Sequence, residues 1–139
     1  AEARQLGAKI IICHGETAAE PVIKGTNLAA VSTKGLVDIL AHPGKITDED
    51  ALLAKENGVY LELTSRKLHN AANKHVVSTA KKTGAKLVVN TDAHIPENYI
   101  TQEAAFKLAK SCGLNDEEAK LVVDDNPREL LGRLGFKIP

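Results

Sequence analysis

The stretch VDILAHPGKITDEDALLAKENGVYLELTS, Val37–Ser65, reads as strand, helix and strand in succession. VDILA is a run of apolar and β-favouring residues, stopped at Pro43-Gly44. Thr47 can cap the helix that follows, and Asp50 three residues later completes an approximate capping box, with Asp in place of Glu or Gln. The helix runs through DEDALLAKEN and ends at Gly58. A second apolar run, VYLELTS, then begins. Two strands joined by a helix lie parallel, with a right-handed crossover.

The same alternation extends to both ends of the chain. Upstream, KIIICHG (Lys9–Gly15) is a β-branched run, and NLAAVSTKG a short helix ending at Gly35. Downstream, AANKHVVSTAKKTG is a helix ending at Gly84, and AKLVVNTDAH a fourth strand. TQEAAFKLAKSCG and DEEAKLVVDD into NPRELLGRLG close the chain as helices. Runs such as IIIC and LVV suit parallel strands covered on both faces. The expected class is α/β, with four successive β-α units in a single domain over residues 1–139.

Composition narrows the function. The 139 residues carry 18 basic and 18 acidic side chains, so no net field draws nucleic acid or an anionic membrane. With two Phe, two Tyr and no Trp, a stacking platform for single-stranded bases is not expected. Cys13 and Cys112 form no CxxC pair and read as two buried free thiols in a reducing cytosol. No apolar run approaches the ~20 residues that span a bilayer. A cytoplasmic protein is expected.

The functional signal is positional. His14 closes the first strand and His42 the second. Glu62 lies within the third strand, Arg66 and His69 just past it, and Asp92 and His94 end the fourth. The carboxyl ends of parallel strands form one rim, where ligands bind. Strand alternation would turn Asp92 and His94 to the same side. Imidazole and carboxylate suit Zn, Mn or Fe, at about 2.0–2.2 Å for Zn. Taken singly, each residue has a plainer role. A strand-end His can be a hydrogen-bonded cap, Asp92 can cap a turn before Pro96, Glu62 can pair with a Lys or Arg, and His75 can sit on a solvated helix face.

VDILAHPG, GVYLELTS, NTDAH and NPRELL, preceded by HGET, resemble in order and approximate spacing the PHP (polymerase and histidinol phosphatase) family, over Lys9–Leu134. The resemblance implies part of a (β/α)7 TIM-like barrel with up to three divalent transition metal ions (Zn, Mn or Fe) at the strand ends. It implies His14 and His42 as ligands of one ion, Asp92 of a second and His94 of a third. Arg66 and His69 would hold the substrate phosphate. The implied activity is histidinol-phosphatase-like hydrolysis of a small phosphomonoester by metal-activated water.

The family's opening His-x-His and its bridging Glu have no counterpart in this sequence. The chain is therefore expected to be the C-terminal portion of a longer protein or a shortened relative, inactive in isolation. The expected partners are a small phosphorylated substrate and, through an exposed sheet edge, a second copy. Nucleic acid and membrane are disfavoured. Two alternatives remain: a PHP-type phosphodiesterase or nuclease, and a non-catalytic assembly or binding module.

Overall fold

The computed structural model describes residues 2–138. Four strands form one open parallel sheet in sequential order: β1 (Ile12–His14), β2 (Ile39–Ala41), β3 (Tyr60–Thr64) and β4 (Leu87–Asn90). Registers are continuous, with Cys13 beside Leu40, Leu40 beside Leu61, and Leu61 beside Leu87. The helices are α1 (Glu2–Gln5), α2 (Thr26–Val31), α3 (Asp48–Asn57), α4 (Asn73–Thr83), α5 (Gln102–Ser111), α6 (Asp116–Lys120) and α7 (Asn126–Arg133). A π-helical turn, Leu121–Asp125, joins the last two.

Alternation along the strands divides the side chains between two faces. Leu40, Leu61, Leu63 and Leu87 meet Val31, Ala51, Ala54, Val76, Val77 and Ala80 in the larger core. Ile39, Tyr60 and Val88 face the other way, where Leu130, Ile10 and Leu134 cover them. That second cover reaches only the amino-terminal part of the face. Glu62, two residues beyond Tyr60, lies on the same face nearer the carboxyl rim.

Local chemistry sets the boundaries. The Thr47 hydroxyl accepts from the Asp50 amide at 3.0 Å and starts α3. Gly58, at φ 70°, ends it. α2 ends at Val31, short of Gly35, because Ser32 caps it by bonding back to Leu28. The fourth strand stops at Asn90, earlier than the AKLVVNTDAH run suggests. The β4 edge is tied to the last helix, where the Asn126 side-chain amide donates to the Leu87 carbonyl at 2.8 Å. At the amino-terminal rim, buried Asp38 accepts from Arg4 at 2.6 Å and from the Ile11 amide at 2.8 Å. Cys13 and Cys112 are both free thiols, Cys112 buried as expected but Cys13 only partly, on the edge strand β1. No helix among the described residues is long and apolar enough to cross a membrane.

Tyr60 gives this core a pH signature. Burial, reinforced by the charge of Glu129, pushes its phenol up to about 12. The folded state therefore keeps a proton that the unfolded chain releases near pH 10. The contribution is complete below pH 10 and is lost as pH rises towards 12, a change on the order of 2–3 kcal/mol. Denaturant melts of wild type and Tyr60→Phe between pH 9 and 12 check this. The wild-type curve should fall more steeply, and parallel curves would contradict the assignment.

Candidate metal centre at the carboxyl rim

Three imidazoles meet where β1, β2 and the segment after β3 converge. One ring nitrogen each from His14, His42 and His69 lies within 4.8 Å of the others. The His42 ring stacks on His69 with centroids 4.4 Å apart, and His14 meets His42 edge-on at 4.4 Å. His42 and His69 are buried, whereas His14 is open to solvent.

Each ring is held through Nδ1. His14 Nδ1 lies 3.0 Å from the Gly15 carbonyl. His42 Nδ1 lies 3.4 Å from the Glu62 carboxylate, itself 3% exposed. His69 Nδ1 lies 2.8 Å from the Thr17 hydroxyl. The carbonyl and carboxylate at Nδ1 of His14 and His42 leave Nε2 as the lone-pair nitrogen that a cation would meet, and the Thr17 hydroxyl can accept from His69 Nδ1 to the same effect. His42 Nε2 is buried and, among the described residues, has no hydrogen-bond partner. A buried polar atom left unpaired costs about 1–3 kcal/mol, so such an atom aimed at two other imidazoles marks a site. Burial, then the neighbouring His42, hold the His69 imidazole below its ordinary range, against the pull of Glu20 and Asp92. That favours the neutral form, which can ligate a metal. Neutral imidazoles suit Zn, Mn or Fe.

The backbone is strained where the site is built. His42 has φ 31° and Asp92 φ 47°, the only non-glycine residues of the described chain in the left-handed region. Strain of this kind costs on the order of 1–3 kcal/mol per residue and clusters at functional sites. Asn73 clamps the end of β3 by accepting from the Thr64 amide at 3.2 Å and donating to the Thr64 carbonyl at 2.9 Å. The turn that follows carries Arg66 and His69 back over the rim.

The remaining sequence candidates lie around this trio. The Asp92 carboxylate is 3.8 Å from His69 Nε2 and 3.3 Å from Arg66 Nε. Arg66 also donates to the Asp92 carbonyl at 2.9 Å and touches the His94 ring. His94 is exposed and outside the three-imidazole cluster, its ring 3.9 Å from the Asp92 carboxylate beyond the end of β4. His69, expected to touch substrate, sits inside the cluster. Glu20, on the loop after β1, reaches His69 Nε2 at 3.3 Å and His14 Nε2 at 3.6 Å. Sequence spacing gave no sign of that reach. His75 bonds the Ile46 carbonyl at 2.7 Å and is not part of the three-imidazole cluster.

No protein-family model matches the chain. An uncharacterized protein of Methanocaldococcus jannaschii is 44% identical over 133 residues, which is 96% of this chain and 61% of that protein. Probable phosphatases of Thermoanaerobacter sp. and Thermoanaerobacter pseudethanolicus are 33% identical over 58% of the chain and 38% of their own length. The chain thus spans about three fifths or less of the curated relatives it matches. Among solved structures, a chain in the cryo-EM structure of archaeal ribonuclease P with mature tRNA has the same fold. Its TM-score is 0.76, at 19% identity, over 96% of this chain and 61% of that one.

At that identity the likeness establishes the fold alone, yet it corrects two expectations. Hydrolysis of a small phosphomonoester was inferred by treating motif and fold as markers of one chemistry. The same fold occurs in a particle that holds tRNA, and the 44% identical relative has no assigned activity. The small phosphorylated partner rests on the family resemblance, and the disfavouring of nucleic acid on zero net charge and few aromatics. Net charge is a sum over the surface, and Arg66 and Lys67 lie together on a cavity of about 650 Å³ beside the rim.

Proposed function

We propose that the protein carrying this sequence acts on nucleic-acid phosphodiesters, through a divalent-metal centre of the PHP type built on His14, His42 and His69. The observation that carries the reading is the set of three imidazoles anchored through Nδ1, with a buried and unpaired Nε2 on His42. The PHP assignment is supported by the order of HGET, AHPG, LELTS, NTDAH and NPRELL, and by the partial similarity to probable phosphatases. A parallel sheet with its polar residues at the carboxyl rim is also what one side of a (β/α) barrel presents. The nucleic-acid part is supported by the fold shared with a chain of the ribonuclease P particle.

A bound divalent metal would supply Lewis-acid stabilisation of the charge that develops on phosphoryl oxygens. The protein's own groups do the rest. Glu62 fixes the tautomer of His42. The planar Arg66 guanidinium, pre-oriented by Asp92, suits a phosphate oxygen pair. Lys67 and Asn98 line the adjoining cavity, where a neighbouring nucleotide can lie. Asp92 and His94 stand as ligands for further ions, as the family resemblance implies.

The test uses the protein at its natural length, stripped of metal and reloaded with Mn or Zn. It should cleave labelled single-stranded oligonucleotides or a bis-aryl phosphate, and lose that activity on chelation. Turnover of aryl monoesters alone, or of no phosphoester with any metal, removes the proposal. A second reading, assembly into a ribonucleoprotein without chemistry, is favoured by the TM-score of 0.76 to the ribonuclease P chain. Oligonucleotide binding that survives chelation, with no cleavage, selects it.

A further inference from the structure

We propose that Glu20 is a fourth protein ligand of the cation held by His14, His42 and His69, delivered by the loop between β1 and α2. The inference rests on the metal reading of the three imidazoles and adds a residue from outside the strand ends. The two Glu20 carboxylate oxygens divide between the free ring nitrogens, one 3.3 Å from His69 Nε2 and the other 3.6 Å from His14 Nε2. These are the nitrogens left over once Nδ1 of each ring is engaged. The carboxylate therefore occupies the space onto which a ligand set of three imidazoles opens.

The loop is constructed to hold it there. At its start, Glu16 Oε1 accepts from the Gly25 amide at 2.8 Å and the Asn27 amide at 3.0 Å. Asn27 Oδ1 accepts from the Glu16 amide at 2.9 Å, and its Nδ2 donates to the Pro43 carbonyl at 2.8 Å. That stitches the loop to the turn carrying His42. Thr17 bonds His69 Nδ1 on one side and accepts from the Ala19 amide at 3.3 Å on the other. Between these anchors residues 18–21 are exposed, so the segment bearing Glu20 can move while its ends stay fixed.

Charge favours the assignment. Three neutral imidazoles leave a divalent ion at +2, and one carboxylate reduces this to +1, still attractive to a phosphate. Three imidazoles and a carboxylate are four N/O donors, and Zn can expand to five-coordinate to take a phosphoryl oxygen as well. Loading the ion then ties the loop to the site.

The experiment is cobalt(II) titration of the natural-length protein by calorimetry and visible absorption, with hydrogen exchange read on residues 18–24. Glu20→Gln removes the charge at an exposed position and leaves the fold intact, which circular dichroism checks. The expected result is a loss of cobalt affinity of about tenfold or more, since partners one shell further out already cost 10–100-fold. Cobalt should also slow exchange over residues 18–24 in wild type and leave it unchanged in the variant. Equal cobalt affinity in wild type and Glu20→Gln overturns the role of Glu20 and leaves the three-imidazole centre standing. A wild-type protein that binds no cobalt removes the centre itself, and with it this inference.

Discussion

In His42→Ala, divalent-metal affinity should fall by on the order of a hundredfold or more, and the proposed phosphodiester cleavage should fall with it. His42 is the residue most committed to a ligand. Its backbone is held at φ 31°, its Nδ1 faces a buried carboxylate, and its Nε2 has no partner among the described residues. A packing histidine would not leave a buried ring nitrogen unpaired. The ring is also the middle member of the trio, against both His14 and His69. Removing it leaves the other two imidazoles 6.0 Å apart between centroids with nothing bridging them. The variant also strands the Glu62 carboxylate in the interior, which destabilises the fold. His42→Gln, which can still pair with Glu62, therefore serves as the second variant. Metal content after dialysis, with melting followed by circular dichroism, separates a lost ligand from a lost fold. A folded His42→Gln protein that keeps wild-type metal affinity would exclude the trio as the centre. Glu62→Gln should lose less, about 10–100-fold, because it only orients the ring.

The sequence made the sheet legible because parallel strands covered by helices must be continuously apolar. Leu40, Leu61, Leu63 and Leu87 fill the face that α3 and α4 cover. Thr47 and Gly58 bounded α3 through local chemistry that tertiary contacts did not override. The site was legible only where it sits on strand ends. His14 and His42 lie on neighbouring strands one residue out of register, so topology alone brings them together. His94 lies outside the trio for a backbone reason: β4 ends at Asn90, and Asp92 adopts a left-handed conformation, so strand alternation no longer sets where the ring goes. His69 was legible as a rim residue for substrate but not as a member of the trio, and the reach of Glu20 was not legible. Both reach the rim from turns, and turn direction is fixed by long-range bonds such as Asn73 to Thr64 and Asn27 to Pro43. The nucleic-acid expectation failed because a whole-chain charge carries no positional information.

The close approach of the two histidine-bearing turns also predicts where the fold is most easily broken. Gly44 follows Pro43 in the β2–α3 turn at φ 61°, and a Cβ built there would lie 2.0 Å from the Glu16 carbonyl oxygen. That neighbour is backbone, so no rotamer change relieves the clash. Gly44→Ala must pay for left-handed strain, about 1–2 kcal/mol, and for overpacking, about 1–3 kcal/mol. The sum, roughly 2–5 kcal/mol, is a large part of the 5–15 kcal/mol that stabilises a typical domain. A fall in Tm on the order of 10 °C is expected. The damage should not stop at stability. Glu16 ends the turn that positions His14, and Pro43 adjoins His42, so separating these backbones moves the two imidazoles apart. Metal affinity should therefore fall in the fraction that remains folded, even though the substituted residue touches no ligand. Calorimetric melting and cobalt titration at a temperature well below the transition measure the two effects separately. A variant that melts like wild type would mean that the turns carrying His14 and His42 do not pack this closely.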